Sequence, residues 1–483
     1  ASPTRIIRWH PVDPSEVTGP GTASAGRFSS RAQRAVLEQV AAEVGATAIW
    51  AHEETGNVLT YARDRRVRAW ARATGIAFRE FPHGGVVRRL ATRDGWAEHW
   101  AAVMQARHAN PPTQFAPLPW VHGAAHPRTP VPGEIPSAAA LDIRSHAHRT
   151  QKAEGGERAA HALLKSFLQE RGADYRRAMS SPATAFDACS RISAHLAFGT
   201  LSGRQAWRAA QRRLAELEAD PFADPRWRPS VGAFVARLAW RDHFMQKLES
   251  EPQIESKNFS PAYDGLRPNE PYPVLLAAWL EGQTGYPMVD ACMRALRAEG
   301  WINFRMRAML VSFASYHLWL PWQATAVALA PHFLDYEPGI HYSQFQMQSG
   351  TTGINSIRIY NPYKQGLDQD PTGAFVRAWV PELANVSTDF VHAPHEMPSL
   401  VAGMCGVQLG RDYPWPIVDH ASAYRTAKER MFAARQTLVA QTEARRVYDR
   451  HGPRPATIQS APKTITKLHT VSATSKAKAH GVN

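Results

Sequence analysis

The chain has 483 residues, 44% apolar and 10% aromatic side chains, and a formal charge of +14, which is length for two or three domains and apolar content to fill their cores. Its longest apolar run, near Ala308 to Trp322, is broken by Ser312, Ser315, His317 and Pro321, well short of the roughly 20 apolar residues a membrane span needs, so no transmembrane segment is expected. Three widely separated cysteines, Cys189, Cys292 and Cys405, exclude a four-cysteine iron-sulfur cluster and read as reduced thiols rather than disulfides or a metal knuckle.

The opening "ASPTRIIRWHPVD" lacks a basic region followed by an apolar core, so no secretory signal is visible and a cytosolic setting is the expectation. The segment before Arg31 is too irregular to assign. "AEVGATAIWAHEETG" (42 to 56) then predicts a helix end, a turn at Gly45, a short buried strand and a loop, and "VRAWARATGIAFREFP" (67 to 82) repeats helix, Gly75, strand and Pro82. Alternating helices and strands predict a parallel, Rossmann-like α/β layer over residues 1–110, in a unit that reads as short. Residues 111–150 open with eight prolines between 111 and 136 and are expected to be an extended interdomain linker.

From residue 151 the period changes. "GERAAHALLKSFLQERG", "VGAFVARLAWRDHFMQKLES" and "WINFRMRAMLVSFASYHLWL" all carry helical spacing, the last with Ile302, Met306, Met309, Phe313, His317 and Leu320 on one stripe. A nearly all-α domain is expected over 151–440. From Gln441 onward eight basic residues face two acids without apolar periodicity, and 441–483 is expected to be a basic disordered tail. The positive charge favours a polyanionic partner, although a solvated Arg-rich surface would give the same count.

There is no HExxH, P-loop, GxSxG or CxxC, and no metal site is expected. What stands out is a helical domain with separated polar segments: "CSRISAHLAFGTLSGR" (189 to 204), "RLAWRDHF" (237 to 244), "TGYPMVDACMRAL" (284 to 296), "WINFRMR" (301 to 307), "LDYEPG" (334 to 339) and "HYSQFQMQSGTTGINS" (341 to 356). Ser190 and Ser193 near a helix start could hold a phosphate or simply cap the helix. Arg307 and Asp335 could pair, holding helix to loop. Gln344, Gln346 and Gln348 alternate, as one face of an exposed strand would, or as a neutral polar belt around a buried ligand.

Taken together with "GGE", "RIYNPYKQ" and "FVRAWVPEL", these motifs from Gly155 to about Arg430 resemble the photolyase and cryptochrome flavoprotein family, and an unusual prokaryotic branch of it. The resemblance implies the fold class, a shortened α/β amino-terminal unit plus a large all-α FAD-binding domain of photolyase type. It implies FAD as cofactor, with Tyr175, Ser190, Arg191, Ile192 and Ser193 at the diphosphate and Arg241, Arg307, Asp335, Glu337 and His341 about the rest of the molecule. A second, antenna chromophore is left unassigned. It further implies light-driven repair of cyclobutane pyrimidine dimers in UV-damaged DNA by a monomer, with Arg237, Trp240, Phe304, Arg305, Met347 and Gln365 at DNA or lesion, and Arg237, Trp240 and His341 at the chemistry. The alternative is a blue-light photoreceptor of cryptochrome type.

The departures bear on that choice. Where dimer-repairing members place a Glu three residues before Trp240, this chain has Arg237; Phe304 stands for an Asn, and Met347 for the second Trp of a Trp-Gln-Trp segment. Of three tryptophans that relay electrons, the middle one matches Trp322, but the flavin-proximal one aligns with Phe345 and the outer one falls near Asn269. Trp301, Trp319, Tyr316 and Tyr342 are the candidates for another route. His341 replaces the Asn expected near flavin N5, and its titration near neutral pH is expected to control protonation there.

Overall fold

The computed structural model describes residues 6–8, 34–42, 45–82, 84–107 and 153–452. The expected linker over 111–150 and the part of the expected tail beyond 452 lie outside these residues. Three short strands, β1 (Ile6–Arg8), β2 (Ala48–His52) and β3 (Ala77–Phe81), pair in parallel in that order. Helix α1 (Val58–Ala73) joins β2 to β3, begun by Asn57, whose side chain accepts the Thr60 amide hydrogen. The turn into β3 needs a left-handed residue, and Gly75 supplies it at φ 74°. The alternation read from sequence is therefore present, with β2 carrying the buried Ile49.

Most of the described chain is helical. Helix α2 (Trp96–Gln105) packs Trp96, Trp100 and Met104 into a core shared with Phe167, Tyr175, Ile192, Trp227, Phe234 and Leu238. A second core gathers Trp279, Met293, Leu310, Phe313, Trp322 and Phe345. Between them runs α3 (Trp227–Ser250), whose 24 residues are buried on more than one face. Its inner polar groups stitch the amino-terminal segment on: Asp242 accepts from the Gly85 amide at 2.9 Å and the Trp100 indole at 3.0 Å, and Gln246 exchanges hydrogen bonds with both backbone groups of Val87. Buried polar side chains satisfied in this way fix one docking geometry.

The stripe from Ile302 to Leu320 is buried as its spacing predicts, in α4 (Phe304–Ser312) followed by a π-helical turn, Phe313–His317. Helix α5 (Pro338–Ser349) contains the Gln-rich segment, so these glutamines stand on a helix, not on a strand. Gly339 lets α5 cross α3: a Cβ there would lie 2.6 Å from the Cα of Met245. No helix among the described residues is long and apolar enough to cross a membrane.

The carboxy-terminal expectation needs correction. Helix α6 (His420–Gln436) is followed by α7 (Leu438–His451), which runs well past residue 441, and Val447 and His451 are buried. The His451 ring meets the Glu251 carboxylate at 2.6 Å, and Arg446 and Arg450 donate to the carbonyls of Phe259 and Ser250. Composition marked this stretch as basic and polar; the buried Val447 and the buried hydrogen bond between His451 and Glu251 dock it.

Candidate functional site

On α3, Arg237, Trp240 and Arg241 are spaced i, i+3, i+4 and so share one side of the helix, away from Asp242 and Gln246. The Arg237 guanidinium lies 4.4 Å from the Trp240 ring centroid and 5.8 Å from that of Phe304, the first residue of α4. Both rings are open to solvent, at 40% and 45% exposure, unusual for large aromatics in a chain with this much core. Asn303, just before Phe304, donates to the carbonyls of Met179 and Ser180, and the Met179 sulfur lies 3.9 Å from Arg237. Arg237, Trp240 and Phe304 thus form one mouth.

Deeper in, two ion pairs define a polar wall. Arg307 grips Asp335 through two parallel hydrogen bonds of 3.1 and 2.8 Å while its Nε donates to the Ile302 carbonyl. Arg241 reaches Glu337 at 3.3 Å and also donates to the Leu196 carbonyl. The pairing of Arg307 with Asp335 agrees with the sequence reading, and Arg241 with Glu337 adds a second.

The segment from Cys189 to Ser193 leads into a short helix, Ser193–Ala197. Arg171 holds it by donating to the carbonyls of Asp187, Cys189 and Ser190. Arg191 adopts a left-handed backbone, φ 59°, where non-glycine residues store strain, and its guanidinium stacks 4.2 Å from the Trp301 ring. Ile192 is packed in the core beside Tyr175. The capping alternative for the serines does not hold: Ile192 occupies the cap position, and Ser193 Oγ is buried with no hydrogen-bond partner among the described residues.

The electrostatics of this wall are cationic. Burial pushes the Cys189 thiol up to about 12, while the charges of Arg191, Arg171, Arg237 and Arg307 act the other way. Burial also pushes the Tyr175 phenol up to about 12, against the pull of the Arg237 charge. Such a setting suits an anionic ligand such as a diphosphate.

Among the described residues, several buried polar atoms in or beside these motifs have no hydrogen-bond partner. Besides Ser193 Oγ these are Arg305 Nε, Gln365 Oε1, Asn303 Oδ1 and Gln344 Oε1. Buried polar groups are nearly always hydrogen-bonded, so this set fits a ligand rich in polar edges. Ser193, Arg305 and Gln365 are among the residues expected from sequence. Met347 is half-buried on α5.

Two expectations fail here. Gln346 is no belt around a ligand: its amide donates to the carbonyls of Ile254 and Lys257 and its oxygen accepts from the Phe259 amide, so it braces the backbone. His341 is no switch near neutrality, because burial lowers its pKa to about 4, the ring being wrapped by Phe333, Tyr336, Tyr342 and Phe345. Its Nε2 lies 2.9 Å from the Ala326 carbonyl, a contact that puts the proton on Nε2 of the neutral ring. Trp322, buried, donates to Asn258 at 2.7 Å and has the Tyr342 ring 6.5 Å away. Tyr342 in turn meets the Tyr336 hydroxyl at 3.4 Å.

Sequence reasoning missed Arg171 and Asn303. Arg171 sits in an ordinary helical pattern with no local mark, whereas Asn303 stands one position before Phe304, where an Asn is missed, and could have been noted. Of the other aromatics raised for electron transfer, Trp319 is clamped between Arg267 at 4.7 Å and Arg430 at 5.0 Å, and Tyr316 also faces Arg267. No group of three or more potential metal ligands occurs among the described residues.

Residues 234–433 match the family described as the FAD binding domain of DNA photolyase. The chain is 32% identical over 415 residues to the deoxyribodipyrimidine photo-lyase of Halobacterium salinarum, covering 80% of this chain and 79% of that protein. It is 35% identical to the deoxyribodipyrimidine photo-lyase of Streptomyces griseus over 56% of this chain and 54% of that one, so it spans only about half the length of this relative. Among solved structures, a bacterial class III photolyase from Agrobacterium tumefaciens superposes with a TM-score of 0.67 at 25% identity, over 84% of this chain and 83% of that one. A cryptochrome from Synechocystis sp. PCC6803 shares the fold with a TM-score of 0.69 at 24% identity, over 82% and 81%.

Proposed function

Because this chain belongs to the photolyase and cryptochrome family and carries its FAD-binding domain, we propose that it repairs cyclobutane pyrimidine dimers in UV-damaged DNA by light-driven electron transfer. The observation that carries the reading is the mouth formed by Arg237, Trp240 and Phe304, where two half-exposed rings flank a guanidinium. A flipped base needs stacking partners to replace those it leaves, and aromatic faces provide them. The division into an α/β unit over 1–110 and a helical FAD-binding unit from 151, which α7 carries past 440 to His451, is part of the same proposal.

FAD, when bound and reduced, supplies the electron that opens the dimer under light. The residues position and polarise. Ser190, Arg191 and Ser193, braced by Arg171 and beside Tyr175, present donors and positive charge for the diphosphate. Asp335 and Glu337, each held by an arginine, would offer their remaining lone pairs to donor groups of the ring and ribityl chain, while Arg241 and Arg307 fix the carboxylates in place. His341, neutral, presents a ring whose Nε2 proton is engaged by Ala326. Arg305 and Gln365 bring polar atoms to the DNA side.

Illumination of the chemically reduced protein with an oligothymidine carrying cyclobutane dimers tests the reading directly. Thymine absorbance is expected to recover, only in light and only with reduced flavin. No recovery from a photoactive, FAD-loaded protein would sink it.

Electron supply follows the aromatic contacts. Trp319 lies between two guanidinium groups, which oppose a positive charge on its ring, whereas Trp322 has the Tyr342 ring 6.5 Å away and no guanidinium among the described residues stacks on either ring. Trp322 and Tyr342 are therefore assigned the route that Phe345 cannot serve. Light-driven flavin reduction by an external thiol should slow by about tenfold or more in W322F and Y342F, as the lost relay adds roughly 1.4 kcal/mol or more to the barrier. Replacing Trp319 by Phe should leave the rate near wild type, and the opposite order would reject the assignment.

A further inference from the structure

Arg237 has no carboxylate partner among the described residues, in contrast to the two arginines of the ion-paired wall. Arg241 and Arg307 are held by Glu337 and Asp335. The Arg237 head meets the Trp240 and Phe304 rings and the Met179 sulfur, and forms no ion pair among the described residues. It is therefore a charged donor fork beside two half-exposed aromatic rings.

A guanidinium carries five donors in a planar fork and no acceptor. A cyclobutane dimer is joined through C5 and C6, which leaves the O2, N3 and C4 edge of each pyrimidine free for recognition. On thymine that edge reads acceptor, donor, acceptor, and its N3 hydrogen faces a guanidinium as one donor against another. On cytosine O2 and N3 are adjacent acceptors, matching two parallel N–H groups of an arginine. A carboxylate at the same position, as dimer-repairing relatives are expected to carry, has the opposite preference because it accepts the N3 hydrogen.

We propose that Arg237 makes this pocket selective for photoproducts that bear cytosine over those that bear only thymine. The inference rests on the repair reading above and specifies the substrate class for the same site. Reading one base edge through a bidentate pair, with a mismatched donor in the competitor, gives about tenfold discrimination or more.

The test is dark binding of the FAD-loaded protein to single-dimer oligonucleotides in one sequence context. Three lesions are used: a thymine dimer, a freshly made cytosine dimer, and the uracil dimer formed by deaminating it, which regains the N3 hydrogen and lacks the methyl groups. The cytosine dimer is expected to bind about tenfold tighter than either of the others, with uracil and thymine dimers alike. R237E should invert the order, and R237Q, whose amide both donates and accepts, should erase it if R237E fails to retain flavin. Equal binding of cytosine and thymine dimers by wild type overturns the inference, as does an order unchanged in both variants. If the thymine dimer is nevertheless opened in light, the repair reading stands while this one falls; if no lesion is bound or opened, both fall.

Discussion

Purified D335A is expected to be colourless where the wild-type protein is yellow. The Asp335 side chain is 5% exposed and takes two hydrogen bonds from Arg307, whose own guanidinium packs 4.4 Å from the Phe333 ring and whose Nε is fixed to the Ile302 carbonyl. Removing the carboxylate leaves that cation facing the wall of the site without its counter-charge. Breaking a buried pair by deleting one partner costs about 3–5 kcal/mol, and the lower end applies because Arg307 keeps a quarter of its side chain in solvent. The same substitution deletes an acceptor that the cofactor's donors need, so loss of affinity adds to loss of preorganisation. D335N keeps the volume and one acceptor but not the charge and should retain an intermediate amount of flavin. Flavin absorbance per mole of folded protein, judged by circular dichroism, separates the cases. A folded D335A that stays fully yellow would remove Asp335 from the site.

What the sequence disclosed and what it hid divide along physical lines. The two helix, glycine, strand units around Gly45 and Gly75 were legible because turn chemistry and a change of hydrophobic period are local properties. The stripe from Ile302 to Leu320 was legible for the same reason, although the π-turn at Phe313–His317 leaves no mark in the spacing. The pairing of Arg307 with Asp335 was visible as opposite charges in separate motifs, but their bidentate geometry and the brace from Ile302 were not.

Errors arose where meaning depends on burial. Gln346 has the side chain of a ligand contact, and only its place against residues 254 to 259 makes it a backbone brace. The basic stretch after residue 441 has the composition of a solvated tail, yet Val447 and the His451 pair with Glu251 dock it. Both cases turn on long-range partners, which one sequence does not pair up.

His341 is the sharpest of these cases, and its titration can be measured through stability. Burial lowers its pKa from the ordinary 6.5 to about 4, with only the Ala326 hydrogen bond and the Asp335 charge acting the other way. In the unfolded chain the imidazole takes up a proton as pH falls through the usual histidine value; in the folded chain it stays neutral until near its lowered value. Between those two points the unfolded state binds more protons, so the neutral ring stabilises fully above pH 6.5 and loses that contribution as pH falls toward 4. At pH 5 the loss is about 2 kcal/mol. The acid limb of the whole protein is a poor place to look for it. His317, lowered to about 3, acts in the same direction, whereas Glu249, raised to about 7 chiefly by burial, takes its proton early in the folded state and opposes both. The comparison with H341N cancels these shared contributions, because an asparagine cannot titrate. Wild type should lose about 2 kcal/mol more than H341N between pH 7 and pH 5 in denaturant unfolding. Parallel curves would mean that His341 protonates in the folded protein as readily as in the unfolded chain, and the ring would then be free to act as the proton switch that its burial argues against.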